Sequence, residues 1–112
     1  MIAGAQLSVT DLRRSARHPV DYQVAAEHLS SGRVTLHIRN ISTCGFMIDN
    51  AQSLSRGDRM LLRLPMLGRI EAYCMWIVDR RAGFQFERII RADHFAEIIG
   101  EMQPNPALRP KG

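Results

Sequence analysis

The sequence predicts a mainly β protein, a small barrel of five or six short strands with one helix packed against it near the C-terminal end. Three observations lead there. Short segments with apolar residues at alternate positions recur between residues 20 and 87, separated by turns rich in Gly, Pro, Asn and Asp. Helical spacing appears at Ala92–Met102, after them, with Phe95, Ile98, Ile99 and Met102 on one face. The chain has 112 residues, the length of one domain, and shows neither an internal repeat nor a βαβ alternation.

Each element follows from its residues. Residues 1–10 carry little pattern and are expected to be loosely attached. Residues 11–19 are polar and basic, and His18-Pro19 argues against helix, because the residue before proline is pushed towards extended geometry. Val20–His28 is a weak strand, and Ser30-Ser31-Gly32 turns the chain. Arg33–Arg39 alternates cleanly: Val34, Leu36 and Ile38 face the core, while Arg33, Thr35, His37 and Arg39 face out. Asn40–Gly45 is a second turn, and Phe46–Ile48 a short strand ended by Asp49-Asn50. Arg56-Gly57-Asp58 signals a tight turn, and Arg59–Leu64 a strand stopped by Pro65. Arg69–Val78 is expected to be the longest strand, with a hairpin turn at Asp79–Gly83 before Phe84–Glu87. In the helix Asp93 suits the N-terminal end, and Gly100 weakens the last turn. Residues 103–112, with three prolines, are expected to fray. The domain therefore spans residues 11–102. This pattern alone also suits an OB-like or SH3-like barrel.

Composition narrows the function. Hydrophobic residues make up 46% of the chain and aromatic residues 6%, as in an ordinary aliphatic core. No apolar run approaches the ~20 residues of a membrane span. The basic residues near the N-terminus follow a weakly apolar start, the reverse of a secretory signal, so a cytoplasmic location is expected. The net charge of +4 welcomes anionic ligands, and fifteen basic residues include a single lysine, Lys111. Cys44 and Cys74 lie outside any CxxC pair, and His18, His28, His37 and His94 are scattered, so no metal site is expected. Cys74, in a strand-like run, reads as a buried thiol. No catalytic motif is present, Ser42 has no histidine and carboxylate at supporting spacing, and the chain is not expected to be an enzyme.

Two polar clusters carry the functional signal. Arg13-Arg14-Ser15-Ala16-Arg17 offers guanidinium groups four residues apart, able to fork onto a guanine edge, stack on a base or clamp a phosphate. Asn40-Ile41-Ser42-Thr43-Cys44-Gly45 offers an amide that can read a guanine edge, a small hydroxyl, and a glycine whose backbone can adopt geometry closed to other residues. Separately, the first is a solvated basic segment and the second a good turn. In this order and at this separation they resemble the paired RxxxR and D/NxSxxG signature of PilZ domains. The resemblance continues through Gly57-Asp58, Leu62–Pro65, Val78 and Gly83-Phe84-Gln85-Phe86, covering residues 11–88. Asn40 stands where aspartate is more frequent in that family.

The resemblance implies a six-stranded antiparallel β-barrel with a C-terminal α-helix. It also implies a receptor for the bacterial second messenger cyclic di-GMP, with Arg13, Arg14, Arg17, Asn40, Ser42 and Gly45 as ligand-binding residues and no cofactor. A mobile Arg13–Arg17 segment would fold over nucleotide held against the Asn40–Gly45 turn. The signal would pass to an unidentified downstream protein, from a monomer or homodimer. Two alternatives remain: a PilZ-type interaction module with negligible nucleotide affinity, and a small nucleic-acid-binding barrel. The latter is disfavoured, because seven aromatic residues, mostly at core-like positions, give no exposed stacking row. Trp76 could stack on a base, but mid-strand it reads more readily as core or barrel-wall packing. The basic tip Asp79-Arg80-Arg81 reads as solvated, or as touching a phosphate.

Overall fold

A computed structural model describes residues 16–102. Six antiparallel strands close into a barrel: β1 (His18–His28), β2 (Gly32–Ile41), β3 (Gly45–Ile48), β4 (Arg59–Leu64), β5 (Gly68–Val78) and β6 (Arg81–Phe86). The helix α1 (Ala92–Glu101) follows. Around the wall the order is β1-β2-β3-β6-β5-β4, and β4 returns to β1. The expected class, a six-stranded antiparallel barrel with one C-terminal helix, is the architecture observed. The expected end segments, 1–10 and 103–112, lie outside the described residues.

Alternation builds the core. Leu36, Ile38, Phe46, Ile48, Leu62, Ile70, Ala72, Phe84 and Phe86 point inward and are almost completely buried. Phe46 stacks on Phe84 with ring centroids 5.0 Å apart and tilts against Phe86 at 5.4 Å. Burying one such side chain contributes on the order of 1.5–3 kcal/mol. The predicted face of α1 is the buried one: Phe95, Ile98 and Met102 join the barrel core, with Ile99 partly buried beside them. The ring of His18 meets Phe95 at 5.2 Å, tying the start of β1 to the helix.

Several local expectations are corrected. β1 has 11 residues and begins at His18, so it equals β5 in length. Pro19 is accommodated beside an irregularity in the β1–β2 register between Pro19 and Tyr22. The β5–β6 hairpin is tighter than Asp79–Gly83: Val78 pairs with Arg81, leaving Asp79-Arg80 as the loop, with Asp79 at φ 57°. Gly83 therefore lies within β6. A register shift between Cys74 and Trp76 turns both Met75 and Trp76 outward, and Trp76 is 37% exposed rather than part of the core.

Candidate ligand-binding face

The end of β2 presents polar side chains beside the turn that follows it. Ile38 and Ile41 point into the core, and a register shift between Ile38 and Asn40 leaves Arg39 and Asn40 both on the outside. Arg17, just before β1, donates from Nη1 to Asn40 Oδ1 at 3.0 Å. The two halves of the signature, 23 residues apart in sequence, thus meet directly. Arg13 and Arg14 lie outside the described residues.

Ser42 and Gly45 have different roles from those their residue types suggested. Ser42 is 2% exposed. Its hydroxyl accepts from the N–H of Cys44 at 3.1 Å and of Gly45 at 3.3 Å, and its own N–H donates to Gly45 O at 2.8 Å. The hydroxyl is therefore buried and holds the turn. Gly45 is not among the positive-φ residues. Its glycine is required by proximity instead: a Cβ there would lie 1.9 Å from the carbonyl oxygen of Phe84 on β6. The turn is pinned from outside as well, Cys44 O accepting from Phe86 N–H and Thr43 O from Ile90 N–H, at 2.8 and 2.9 Å.

Strand pairing extends this corner into a row. Pro19 is opposite Asn40, Asn40 opposite Met47, Met47 opposite Gly83, and Gly83 opposite Trp76. Inward neighbours on both sides of Met47 and Gly83 place these positions on the outer face. The Asn40 amide reaches Met47 Sδ at 3.8 Å. The Trp76 indole lies across Gly83, whose added Cβ would meet Nε1 at 2.1 Å. The result is a shallow strip with Arg17 and Asn40 at one end, a sulfur-and-glycine floor, and an exposed indole at the other. Three strand spacings separate Asn40 from Trp76, about 14 Å. Single residues gave no hint of this row, because it depends on strand order and two bulges.

Beside the strip, His37 bridges two carboxylates: Nε2 to Asp21 at 2.5 Å and Nδ1 to Asp49 at 3.0 Å. Arg39 also faces both, at 3.7 and 3.5 Å. The hydrogen bond from His37 holds the Asp21 carboxyl below its ordinary value, against a smaller opposing effect of desolvation. His37 does face outward, as expected, but it is an anchor between β1, β2 and the end of β3.

A Ser–His–Asp chain that sequence spacing had not suggested occurs at the far end of β1. His28 Nε2 lies 2.8 Å from Asp58 Oδ2, and Nδ1 lies 3.0 Å from Ser30 Oγ. Nδ1 also accepts the backbone N–H groups of Ser30 and Ser31 at 3.1 and 3.2 Å. With these donors on Nδ1, the imidazole fastens a turn, and Nε2–H is left to donate to Asp58. Burial pushes the Asp58 carboxyl up, but bonds from His28 and from the Ser55 N–H outweigh it and leave it below its ordinary value. Cys74 is buried, and desolvation first, then the nearby Asp58 charge, pushes its thiol up, away from reactivity. Among the described residues, no group of three or more His, Cys, Asp or Glu side chains could hold a metal ion. No described helix is long and apolar enough to cross a membrane.

A search of curated proteins finds no match. The family model for the PilZ domain matches residues 11–101, which takes in both polar clusters, all six strands and α1. That family is one of binding and adaptor domains rather than of known enzymes. With the match covering most of the chain, and the closed barrel presenting the two motif halves at one corner, this protein belongs to the PilZ domain family.

Proposed function

We propose that this PilZ domain is a cyclic di-GMP receptor that works as a binder, not a catalyst, in a bacterial cytoplasm. The observation that carries the reading is the 3.0 Å bond from Arg17 to Asn40 at the end of the exposed strip. Guanine offers O6 and N7 to a guanidinium fork and a flat face for stacking. Arg17 and Asn40 supply edge-reading groups, while Arg13 and Arg14 supply charge for the phosphates. Ser42 and Gly45 act through the shape of the turn. Met47 offers a polarizable floor, and Trp76 an aromatic face at the other end of the strip. Binding must exchange or retain the Arg17–Asn40 bond, so it alters the surface around the start of β1. A downstream protein would read that change.

Calorimetry with cyclic di-GMP tests the reading, with GTP and cyclic di-AMP as controls. Binding should be selective for cyclic di-GMP and should change the emission of Trp76, the only tryptophan. Arg17→Ala should weaken it by about 10- to 100-fold, the worth of one charge-assisted contact. Affinity should depend only weakly on salt, since two phosphates release few counterions, whereas oligonucleotide binding should fall steeply. Absence of heat at high nucleotide concentration would leave the interaction-module reading in its place.

A further inference from the structure

A second basic surface lies away from the strip, at the seam where β1 meets β4. Pairing across this seam is brief: Ala26, Glu27 and His28 of β1 face Leu62, Leu61 and Met60 of β4. Where the pairing ends, an open cleft of about 240 Å³ forms on the barrel wall. Ala25, Leu61 and Glu27 line its middle, and Arg33, Arg63 and Arg69 line it as well. Arg63 and Arg69 are directly opposite each other on β4 and β5, a like-charge pair that costs stability unless an anion joins it. Among the described residues, no carboxylate lies within ion-pair distance of any of these three arginines. Arg33 of the cleft lies seven residues along β2 from Asn40, roughly 23 Å from that end of the strip.

We propose that this cleft docks an acidic, extended segment of a partner protein. Arg33 and the Arg63–Arg69 pair are separated by about two strand spacings and one two-residue step, roughly 12 Å along the wall. That separation exceeds the reach of one phosphate and fits carboxylates three or four residues apart on an extended peptide. Leu61 and Ala25 provide apolar contact between them. Glu27, central in the cleft, accepts peptide N–H groups and repels a continuous phosphate backbone. No aromatic residue lines the cleft for base stacking. The chain's own C-terminal segment is a poor occupant, since residues 103–112 carry Arg109 and Lys111 and no acid. The proposal stands apart from nucleotide binding, which uses the other seam of the barrel.

The test uses fluorescence anisotropy of a labelled nine-residue peptide with glutamate at every third position between alanine and valine. The full chain should bind it. Arg63→Gln with Arg69→Gln should weaken binding at least tenfold, and Arg33→Gln about threefold. Arg80→Gln, in the loop at the opposite end of β5 from Arg69, should change nothing. The same double variant should melt no lower than the unaltered chain and keep its calorimetric response to cyclic di-GMP, which separates this proposal from the receptor reading. Any of four results would overturn it: equal binding of a glutamine-substituted peptide, equal weakening by Arg80→Gln, tighter cleft-dependent binding of oligothymidine, or no binding at millimolar peptide.

Discussion

At the scale of single residues, two glycines show how identity can be fixed by what lies opposite. Gly45 was legible as a glycine the turn needs, but the reason was not legible. Its backbone conformation is ordinary, and the constraint is the Phe84 carbonyl across the β3–β6 pair. Gly45→Ala should therefore destabilise by about 2–3 kcal/mol, lowering Tm by roughly 10–20 °C, as overpacking against rigid backbone does. A thermal melt checks this, and an unchanged Tm would mean the β3–β6 contact yields easily. Gly83 meets a movable neighbour instead. Gly83→Ala should leave the fold intact and lift the Trp76 indole from its bed, seen as a red-shifted emission maximum and weaker cyclic di-GMP binding. Arg17→Lys should fail to restore what Arg17→Ala loses, because an ammonium can neither fork nor stack as a guanidinium does. Retained affinity in the lysine variant would reduce Arg17 to a bare charge.

At the scale of elements, the strands with clean alternation were readable, and the places where alternation breaks were not. Arg33–Arg39 points its residues as expected, whereas the shifts around Arg39 and Met75 expose Asn40 and Trp76 only once neighbouring strands set the register. Long-range polar ties were equally hidden: His28 and Asp58 are 30 residues apart, and their types alone do not announce a pair. That pair gives the fold an acid limit. Because the Asp58 carboxyl is depressed in the folded state, its contribution is complete above the unfolded value of about 3.9. It is lost as pH falls through the lower folded value, and Asp21 adds in the same sense. Denaturation midpoints measured from pH 6 down to pH 2 should fall below about pH 4, and Asp58→Asn should flatten that limb. The β4–β5 hairpin carries the opposite lesson. Arg69→Glu should raise stability by about 0.2–1 kcal/mol through a cross-strand pair with Arg63, measurable as a higher urea midpoint.

At the scale of the whole molecule, barrel and helix followed from short alternating segments, turns, and one stretch with helical spacing. Closure did not follow from spacing, because it depends on β3 meeting β6 and β1 meeting β4, pairs brought together by no hairpin. The family signature supplied what periodicity alone left open among several small barrels. The two polar clusters were legible as sequence, but the contact between Arg17 and Asn40 and the hydrogen bonding of Ser42 inside its turn needed the fold.

That closure makes the molecule two three-stranded meanders, β1-β2-β3 and β4-β5-β6, joined by the loop at residues 49–58 and stitched along two seams. The proposed nucleotide strip crosses one seam at Met47–Gly83, and the arginine cleft straddles the other. Cleaving the chain within the loop should thus yield fragments that recombine. Cyclic di-GMP should act on such a split protein as a staple, pulling the halves together at concentrations where they would otherwise drift apart.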